Sequence, residues 1–179
     1  MLTMMTMPSP IGTLCLCAED DQLVELHLPD RPAPAVAAAP AGSERRGVLA
    51  RTIAQLTEYF AGERHDFDLP LAPRGTAFQT QVWRALAEIP FGTTCSYGDL
   101  ARVVGRPSAS RAVGAANGRN PIAIILPCHR VIGSNGELTG YGGGLPMKRW
   151  LLEHERARVQ PSLPGVGRDR PGAQGAARR

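Results

Sequence analysis

Apolar and polar residues alternate along the first thirty positions. Leu2–Met7, Thr13–Ala18 and Gln22–Leu28 therefore read as three strands. Ser9-Pro10-Ile11-Gly12 supplies turn chemistry between the first two, and Glu19-Asp20-Asp21 a polar tip between the second and third. Leu14, Leu16 and Ala18 share one face of the second strand, and Val24, Leu26 and Leu28 one face of the third, which predicts an antiparallel meander with one buried face. Arg31 to Arg46 is rich in Pro and Ala and reads as a loop or mobile linker. The period then lengthens. Leu49, Ile53, Leu56 and Phe60 recur at helical spacing, predicting a helix from about Ser43 to Phe60 that Gly62 closes. His65–Leu69 is a candidate further strand. Residues 1–72 are thus expected to form a small α/β domain.

The composition changes at Pro73-Arg74-Gly75, and residues 73–158 read as a second, helical domain. Thr76 and Gln79 have the spacing of a capping box for a helix through Glu88, with Phe78, Val82, Leu86 and Ile89 as its apolar stripe. Ser96 and Asp99 cap the next helix, in which Leu100, Val103 and Val104 face inward until Gly105 and Pro107 stop it. A third helix is expected from Ser108 to Gly118. Two short helices around a Gly-Arg-Pro turn have the form of a helix-turn-helix. The branched apolar run Ile122–Leu126 reads as a short buried strand ended by Pro127, and a last helix spans about Pro146 to Arg158. Residues 159–179 form a Pro-, Gly-, Ala- and Arg-rich basic tail expected to be disordered.

Hydrophobic residues make up 43% of the 179 positions and aromatics only 5%, so the expected core is largely aliphatic. The net charge of +4 and pI of about 9.2 weakly favour an anionic partner. Four cysteines without a paired framework suggest a reducing compartment. With neither a basic-then-apolar leader pattern nor a run long enough to span a membrane, a cytoplasmic protein is expected.

The chemistry concentrates at Pro127-Cys128-His129-Arg130. A thiol beside an imidazole and a guanidinium is placed to ionise, and the thiolate is the nucleophile. The competing reading is a buried structural thiol. Ser108–Asn117 is built from small residues around one long side chain, Arg111. That suits either close approach to a nucleic-acid backbone or tight helix packing with Arg111 solvated. Tyr97 opens the preceding helix, and Glu155 on the last helix reads either as an orienting group for His129 or as a solvated residue. Gly140-Tyr141-Gly142-Gly143-Gly144 lacks the following Lys-Ser/Thr of a phosphate-binding P-loop. Cys15, Cys17 and His27, with His65, make either a candidate zinc site or partly buried thiols.

Pro127-Cys128-His129-Arg130-Val131 resembles the acceptor-cysteine motif of the O6-alkylguanine-DNA alkyltransferase family. Ile89-Pro90-Phe91-Gly92, Ser96-Tyr97, Arg111-Ala112-Val113-Gly114, Asn120-Pro121, Tyr141-Gly142-Gly143-Gly144 and Leu151-Leu152-Glu153-His154-Glu155 agree with it, and the likeness is dense from Gly75 to Glu155. The resemblance implies a ribonuclease-H-like α/β domain followed by a helical winged helix-turn-helix DNA-binding domain. It implies repair of O6-alkylguanine, and of O4-alkylthymine, in double-stranded DNA by single-turnover transfer of the alkyl group to Cys128. Catalytic roles fall to Cys128, His129, Glu155 and Tyr97, with a water between thiol and imidazole, and the role of structural hinge to Asn120. Arg111 would fill the stack after the nucleotide is flipped from the minor groove. Ser96, Tyr97, Ala109, Ser110, Ala112 and Gly114 would contact DNA, while Asn117, Val131, Tyr141 and Gly142 would line the base pocket. Gly142 replaces a serine of some members, and Asn117 a bulkier apolar residue. No cofactor and no metal is implied; the expected state is a monomer, with cooperativity on DNA left open. Two rivals remain: a non-catalytic damage-binding protein, which in the alkyltransferase-like proteins carries tryptophan at the acceptor position, and a thiol hydrolase using Cys128 and His129.

Overall fold

The computed structural model describes residues 2–29 and 47–159. The expectations for the linker at 31–46, for the helix start at Ser43 and for the tail beyond Val159 fall outside these residues. Three antiparallel strands open the chain: β1 (Thr3–Met7), β2 (Leu14–Glu19) and β3 (Gln22–His27), in that spatial order. Helix α1 (Gly47–Ala61) packs across them, and its first turn is fixed by Val48 N–H donating to Asp21 Oδ1 of the β2–β3 turn at 2.6 Å. Then come α2 (Ala77–Ala87), a two-residue strand β4 (Cys95–Ser96), α3 (Tyr97–Val103), α4 (Ser110–Gly118), a 3-10 turn at Cys128–Arg130, β5 (Val131–Ile132) and α5 (Gly144–Val159). Val159, expected in the tail, is the last residue of α5.

Both capping boxes form. Thr76 and Gln79 start α2 and Ser96 and Asp99 start α3, each with reciprocal side-chain to backbone hydrogen bonds. Helices α2, α3 and α4 pack together, and Trp83 Nε1 donates to the Ala116 carbonyl at 2.9 Å, pinning α4 against α2. The apolar core is continuous: Leu16 and Leu26 of the sheet, Leu56 of α1, Leu86 of α2, Val113 of α4 and Leu151 of α5 belong to one cluster.

Three expectations are corrected. The meander is buried on both faces of β2. Cys15, Cys17 and Val24 form a second cluster with Leu2, Met4 and Ala72 opposite the main core, because the chain approaching α2 folds back over that face. A bulge between Cys17 and Ala18 leaves Val24 on this side, away from Leu26. His65–Leu69 is no strand; the segment instead reaches β3 through a single parallel bridge, Leu23 with Leu71. Ile122–Leu126 is no strand either. After one parallel bridge from Ile122 to Leu26 the backbone turns, with Ile124 at φ 71°. A β-branched residue in the left-handed region is strained, by about 1–3 kcal/mol. It persists because the run is buried and held at both ends, so the hydrophobicity that suggested a strand belongs to a packed turn.

Candidate functional site

The turn is clamped by Asn120. Its Nδ2 donates to the Leu126 carbonyl at 2.7 Å and its Oδ1 accepts from Ile122 N–H at 3.0 Å. Asn120 itself sits just after α4, so one buried side chain joins the end of that helix to the chain entering Cys128. From the other side, Leu26 N–H of β3 donates to the Pro121 carbonyl at 2.8 Å.

Cys128 is buried, 6% exposed, and lies at the edge of a pocket lined by Leu26, Leu28, Asn117, Asn120, Tyr141 and Gly142. Asn117 Nδ2 donates weakly to the Cys128 carbonyl at 3.4 Å, and Asn117 Oδ1, also buried, has no hydrogen-bond partner among the described residues. The glycine-rich loop reaches this pocket by close approach. A Cβ on Gly143 would fall 2.4 Å from Met147 Sδ and 3.0 Å from Leu28 Cδ1, so a larger residue here would have to push those two side-chain ends aside.

Behind Cys128 a carboxylate is buried among donors. Glu155 accepts from His129 Nε2 at 2.7 Å, Arg130 Nε at 2.9 Å and Nη2 at 3.0 Å, Tyr59 Oη at 2.8 Å and Gly92 N–H at 3.1 Å. Arg130 also donates to the Ile89 carbonyl at 2.6 Å. Burial alone would raise the Glu155 carboxyl, but the hydrogen bonds and charges of His129 and Arg130 outweigh it and hold the group well below the usual carboxylate range. An ionised carboxylate only accepts, so the proton on His129 sits on Nε2. Burial lowers His129 below its ordinary value, although the hydrogen bond to Glu155 opposes the shift. The imidazole is therefore neutral near pH 7. Its Nδ1 carries a lone pair and makes no hydrogen bond with the described residues. An imidazole oriented in this way by a carboxylate can act as a general base, and it stands in the residue next to the thiol. In contrast, burial pushes the Cys17 thiol up to about 12 and raises those of Cys15 and Cys95, so none of these three is an activated nucleophile.

Tyr97 stands at the first residue of α3, half-buried, with its ring against Gly114 of α4 and its hydroxyl accepting from Thr139 Oγ1 at 3.3 Å. The Ser96 hydroxyl is engaged in the α3 cap, accepting from Asp99 N–H at 3.0 Å. Arg111 and Ala112 are exposed on α4, Ala109 is its N-cap, and Ser110 and Gly114 are half-buried. The expected residues thus fall into two groups. Cys128, His129, Glu155, Asn117, Asn120, Tyr141 and Gly142 gather around the pocket and its rear wall; Arg111, Ala112, Ala109 and Ser110 lie along the outer side of α4. Val131, in β5, is fully buried and does not line the pocket; its carbonyl accepts from Lys148 Nζ at 2.6 Å.

Two residues escaped the sequence reading. Lys148 is fully buried, and its Nζ donates to the Val131 carbonyl at 2.6 Å and the Thr139 carbonyl at 2.8 Å, with the Tyr97 ring centroid 5.9 Å away. It ties β5 to the loop before Tyr141, and burial lowers its pKa. Its signal was that it is the chain's sole lysine in an apolar stripe. Tyr59 looked like one more core aromatic of α1 and carried no signal. His65 corrects another expectation: it stacks on Phe91, ring centroids 4.1 Å apart, and is not grouped with Cys17 and His27.

The profile described as "6-O-methylguanine DNA methyltransferase, ribonuclease-like domain" matches residues 2–73, and "6-O-methylguanine DNA methyltransferase, DNA binding domain" matches 77–157. The methylated-DNA–protein-cysteine methyltransferase of Mycolicibacterium paratuberculosis is 48% identical over 163 residues, covering 91% of this chain and 98% of that protein. That of Methanosarcina acetivorans is 48% identical over 156 residues, with 82% and 94% covered. Among solved structures, Mycobacterium tuberculosis OGT in complex with DNA superposes with a TM-score of 0.79 at 48% identity, covering 88% of this chain and 93% of that one. No helix of the described residues is long and apolar enough to cross a membrane.

Proposed function

Since the chain belongs to the 6-O-methylguanine DNA methyltransferase family and is a DNA-repair methylated-DNA–protein-cysteine methyltransferase, we propose that Cys128 is the acceptor and that each molecule reacts once. The observation that carries this is His129 Nε2 at 2.7 Å from Glu155 Oε1 with Nδ1 left without a hydrogen-bond partner among the described residues, adjoining a cysteine at the edge of a pocket. His129 Nδ1 takes the thiol proton through an intervening water. The Cys128 sulfur then attacks the alkyl carbon in line; a carbon–sulfur bond forms as the carbon–O6 bond breaks, and the electron pair leaves with the purine. Protonation of the purine completes the balance; the Tyr97 hydroxyl is assigned as the donor and regains a proton from solvent as the His129 cation gives its own up. The cation of His129 is stabilised by Glu155.

The polar and glycine-rich lining of the pocket suits a flipped base, which must widen it, since the free volume is only about 20 Å³. Carbonyls of Cys128 and Val131 accept from the guanine exocyclic amine, and the loop at Tyr141-Gly142 offers its amides to O6. The outer side of α4 supports an approach from the minor groove, where short side chains let the backbone come close while Arg111 enters the stack. The same geometry accepts O4-alkylthymine, whose alkyl oxygen bears an equivalent carbon. In this reading residues 2–73 scaffold the site, residues 77–157 bind and react, and the protein acts as a monomer on double-stranded DNA.

The test is stoichiometry. A carbon–sulfur bond to an alkyl carbon offers water no carbonyl to attack, so no nearby base regenerates the thiol. Excess O6-methylguanine duplex mixed with a known amount of protein should give a plateau at one methyl per chain. Intact mass should rise by one methyl group, mapped to the Cys128 peptide, and Cys128→Ser should bind DNA without accepting the group. Turnover beyond one equivalent with unmodified Cys128 recovered would point to hydrolysis and overturn the proposal.

A further inference from the structure

The outer face of the three-stranded sheet, opposite the face on which Leu26 lines the pocket, gathers ligating side chains to which the proposed reaction gives no role. Cys15 and Cys17 are two apart on β2 and so point to one side. Across the ladder Cys15 pairs with His27 and Cys17 with Glu25, and directly opposed residues share a face, so all four side chains project together. The Cys17 sulfur, a Glu25 carboxylate oxygen and a His27 ring nitrogen lie within 4.8 Å of one another, and the Cys15 and Cys17 side chains are in hydrogen-bond contact. His27 Nε2 is 2.7 Å from Glu25 Oε2.

Burial divides the four. Cys17 is inaccessible and Cys15 is 7% exposed, under an apolar cover from Leu2, Met4 and Ala72. The side chains of His27 and Glu25 are 18% and 39% exposed, which leaves an entry path from solvent. A disulfide is a poor alternative use of the thiols. Residues two apart on a strand have Cα atoms about 6.6 Å apart with parallel Cβ vectors, at the upper limit of what a disulfide spans.

We propose that this face binds one zinc ion, with Cys15 and Cys17 as thiolates, His27 as neutral imidazole and Glu25 closing the tetrahedron. Two thiolates and an imidazole select a thiophilic cation over calcium or magnesium, which take oxygen ligands. Zinc–sulfur bonds of about 2.3 Å and zinc–nitrogen or zinc–oxygen bonds of about 2.0–2.1 Å put ligand atoms roughly 3.3–3.8 Å apart. For Cys17, Glu25 and His27 the present spacing closes by about 1 Å; Cys15 lies outside that group, touches Cys17, and completes the set from its position opposite His27. Binding expels the two thiol protons into solvent, replaces the contact between His27 and Glu25, and leaves the site with a net charge of −1. The ion would clip β2 to β3 beside the bulge, where the ladder is weakest, and would stabilise the sheet without entering the transfer reaction.

The experiment uses the full chain, stripped with a chelator and titrated with Co²⁺ as a spectroscopic probe and Zn²⁺ as competitor. One equivalent of Co²⁺ should give thiolate charge-transfer absorption with tetrahedral ligand-field bands; Zn²⁺ should displace it and raise the melting temperature. Cys128→Ser should keep the signal and Cys17→Ser should lose it while retaining methyl transfer. Should Cys17→Ser fail to fold, His27→Gln and Glu25→Gln, on the open side, serve instead: each should keep the metal-free melting temperature and weaken binding by about ten-fold or more. Absence of thiolate absorption, unaltered affinity in both of these variants, or a signal that disappears with Cys128 instead of Cys17 would overturn the proposal.

Discussion

Glu155→Gln is the sharpest single perturbation of the site. The native carboxylate is fully buried and receives donors from His129, Arg130, Tyr59 and Gly92. Glutamine preserves the volume but offers one acceptor oxygen, and it turns an NH₂ group toward positions already held by donors. Arg130, only 5% exposed, loses its countercharge. Removing one partner of a buried ion pair costs about 3–5 kcal/mol. For a domain of this size that corresponds to a fall in melting temperature of roughly 6–20 °C. The kinetic effect is separate. With no carboxylate to orient it and stabilise its cation, His129 should lose most of its effect as a base, and the single-turnover transfer rate should drop by about 10²–10⁴-fold. Urea unfolding gives the first quantity. Rapid-quench transfer to Cys128, at a temperature where the variant is folded, gives the second. Adding Arg130→Met should recover part of the stability, by removing the stranded charge, while leaving the rate low. Normal transfer per folded molecule in Glu155→Gln would refute the assignment of His129 as the base, whatever happened to stability.

Three further outcomes are expected. Arg111→Ala should slow repair of duplex DNA far more than reaction with a free O6-alkylguanine base, since Arg111 is exposed on α4 and in the proposed reading acts only where a stack must be filled; equal losses on both substrates would indicate a disturbed helix. Asn120→Ala strands the Leu126 carbonyl and the Ile122 N–H in the core, at about 1–3 kcal/mol for each buried group, so denaturant unfolding should show a loss of about 2–6 kcal/mol. Burial lowers both His129 and His154 from 6.5, so between that value and their folded pKa the unfolded chain holds more protons than the native one. Stability should then be fully present above 6.5 and fall as pH drops through the window below it, by up to about 1.4 kcal/mol per pH unit for each histidine. Denaturant midpoints between pH 5.5 and 7.5 check the sign, and His154→Gln should make the slope shallower.

Much of this architecture could be read from the sequence where local rules act alone. The two capping boxes placed α2 and α3 because a cap is satisfied within four residues. The alternation of Thr13–Ala18 and Gln22–Leu28 gave the hairpin, since its register is set by the adjoining turn. Reading failed where distant chain decides. The apolar run at Ile122–Leu126 has strand composition, but its turn is dictated by Asn120 and by the β3 edge, a hundred residues earlier in the chain. The second face of β2 looked exposed because nothing nearby in sequence says that Leu71-Ala72 returns to cover it. At the site, Cys128 and His129 stood out as neighbours with complementary chemistry. Glu155 was separable from any other helix glutamate only by the family resemblance. Tyr59 had no local mark at all, because its importance is one hydrogen bond to a residue 96 positions away.

That same bond explains why the two halves of the chain act on one reaction. Glu155 is held by Tyr59 of α1 as well as by His129 and Arg130, and the neighbouring His154 donates to the Tyr59 carbonyl at 2.9 Å. On the opposite side of Cys128, Leu26 of β3 holds Pro121 at the start of the strained turn. The first half therefore touches both supports of the proposed nucleophile: the carboxylate behind His129 and the turn in front of Cys128. Neither contact reaches substrate. Each contributes to holding a costly conformation, since a left-handed isoleucine and a fully buried carboxylate both relax if their surroundings loosen. A well-packed apolar replacement for the ion pair would keep such a core stable. Retaining the charges is understandable only through what they do for His129: they keep its proton on one nitrogen and its lone pair on the other.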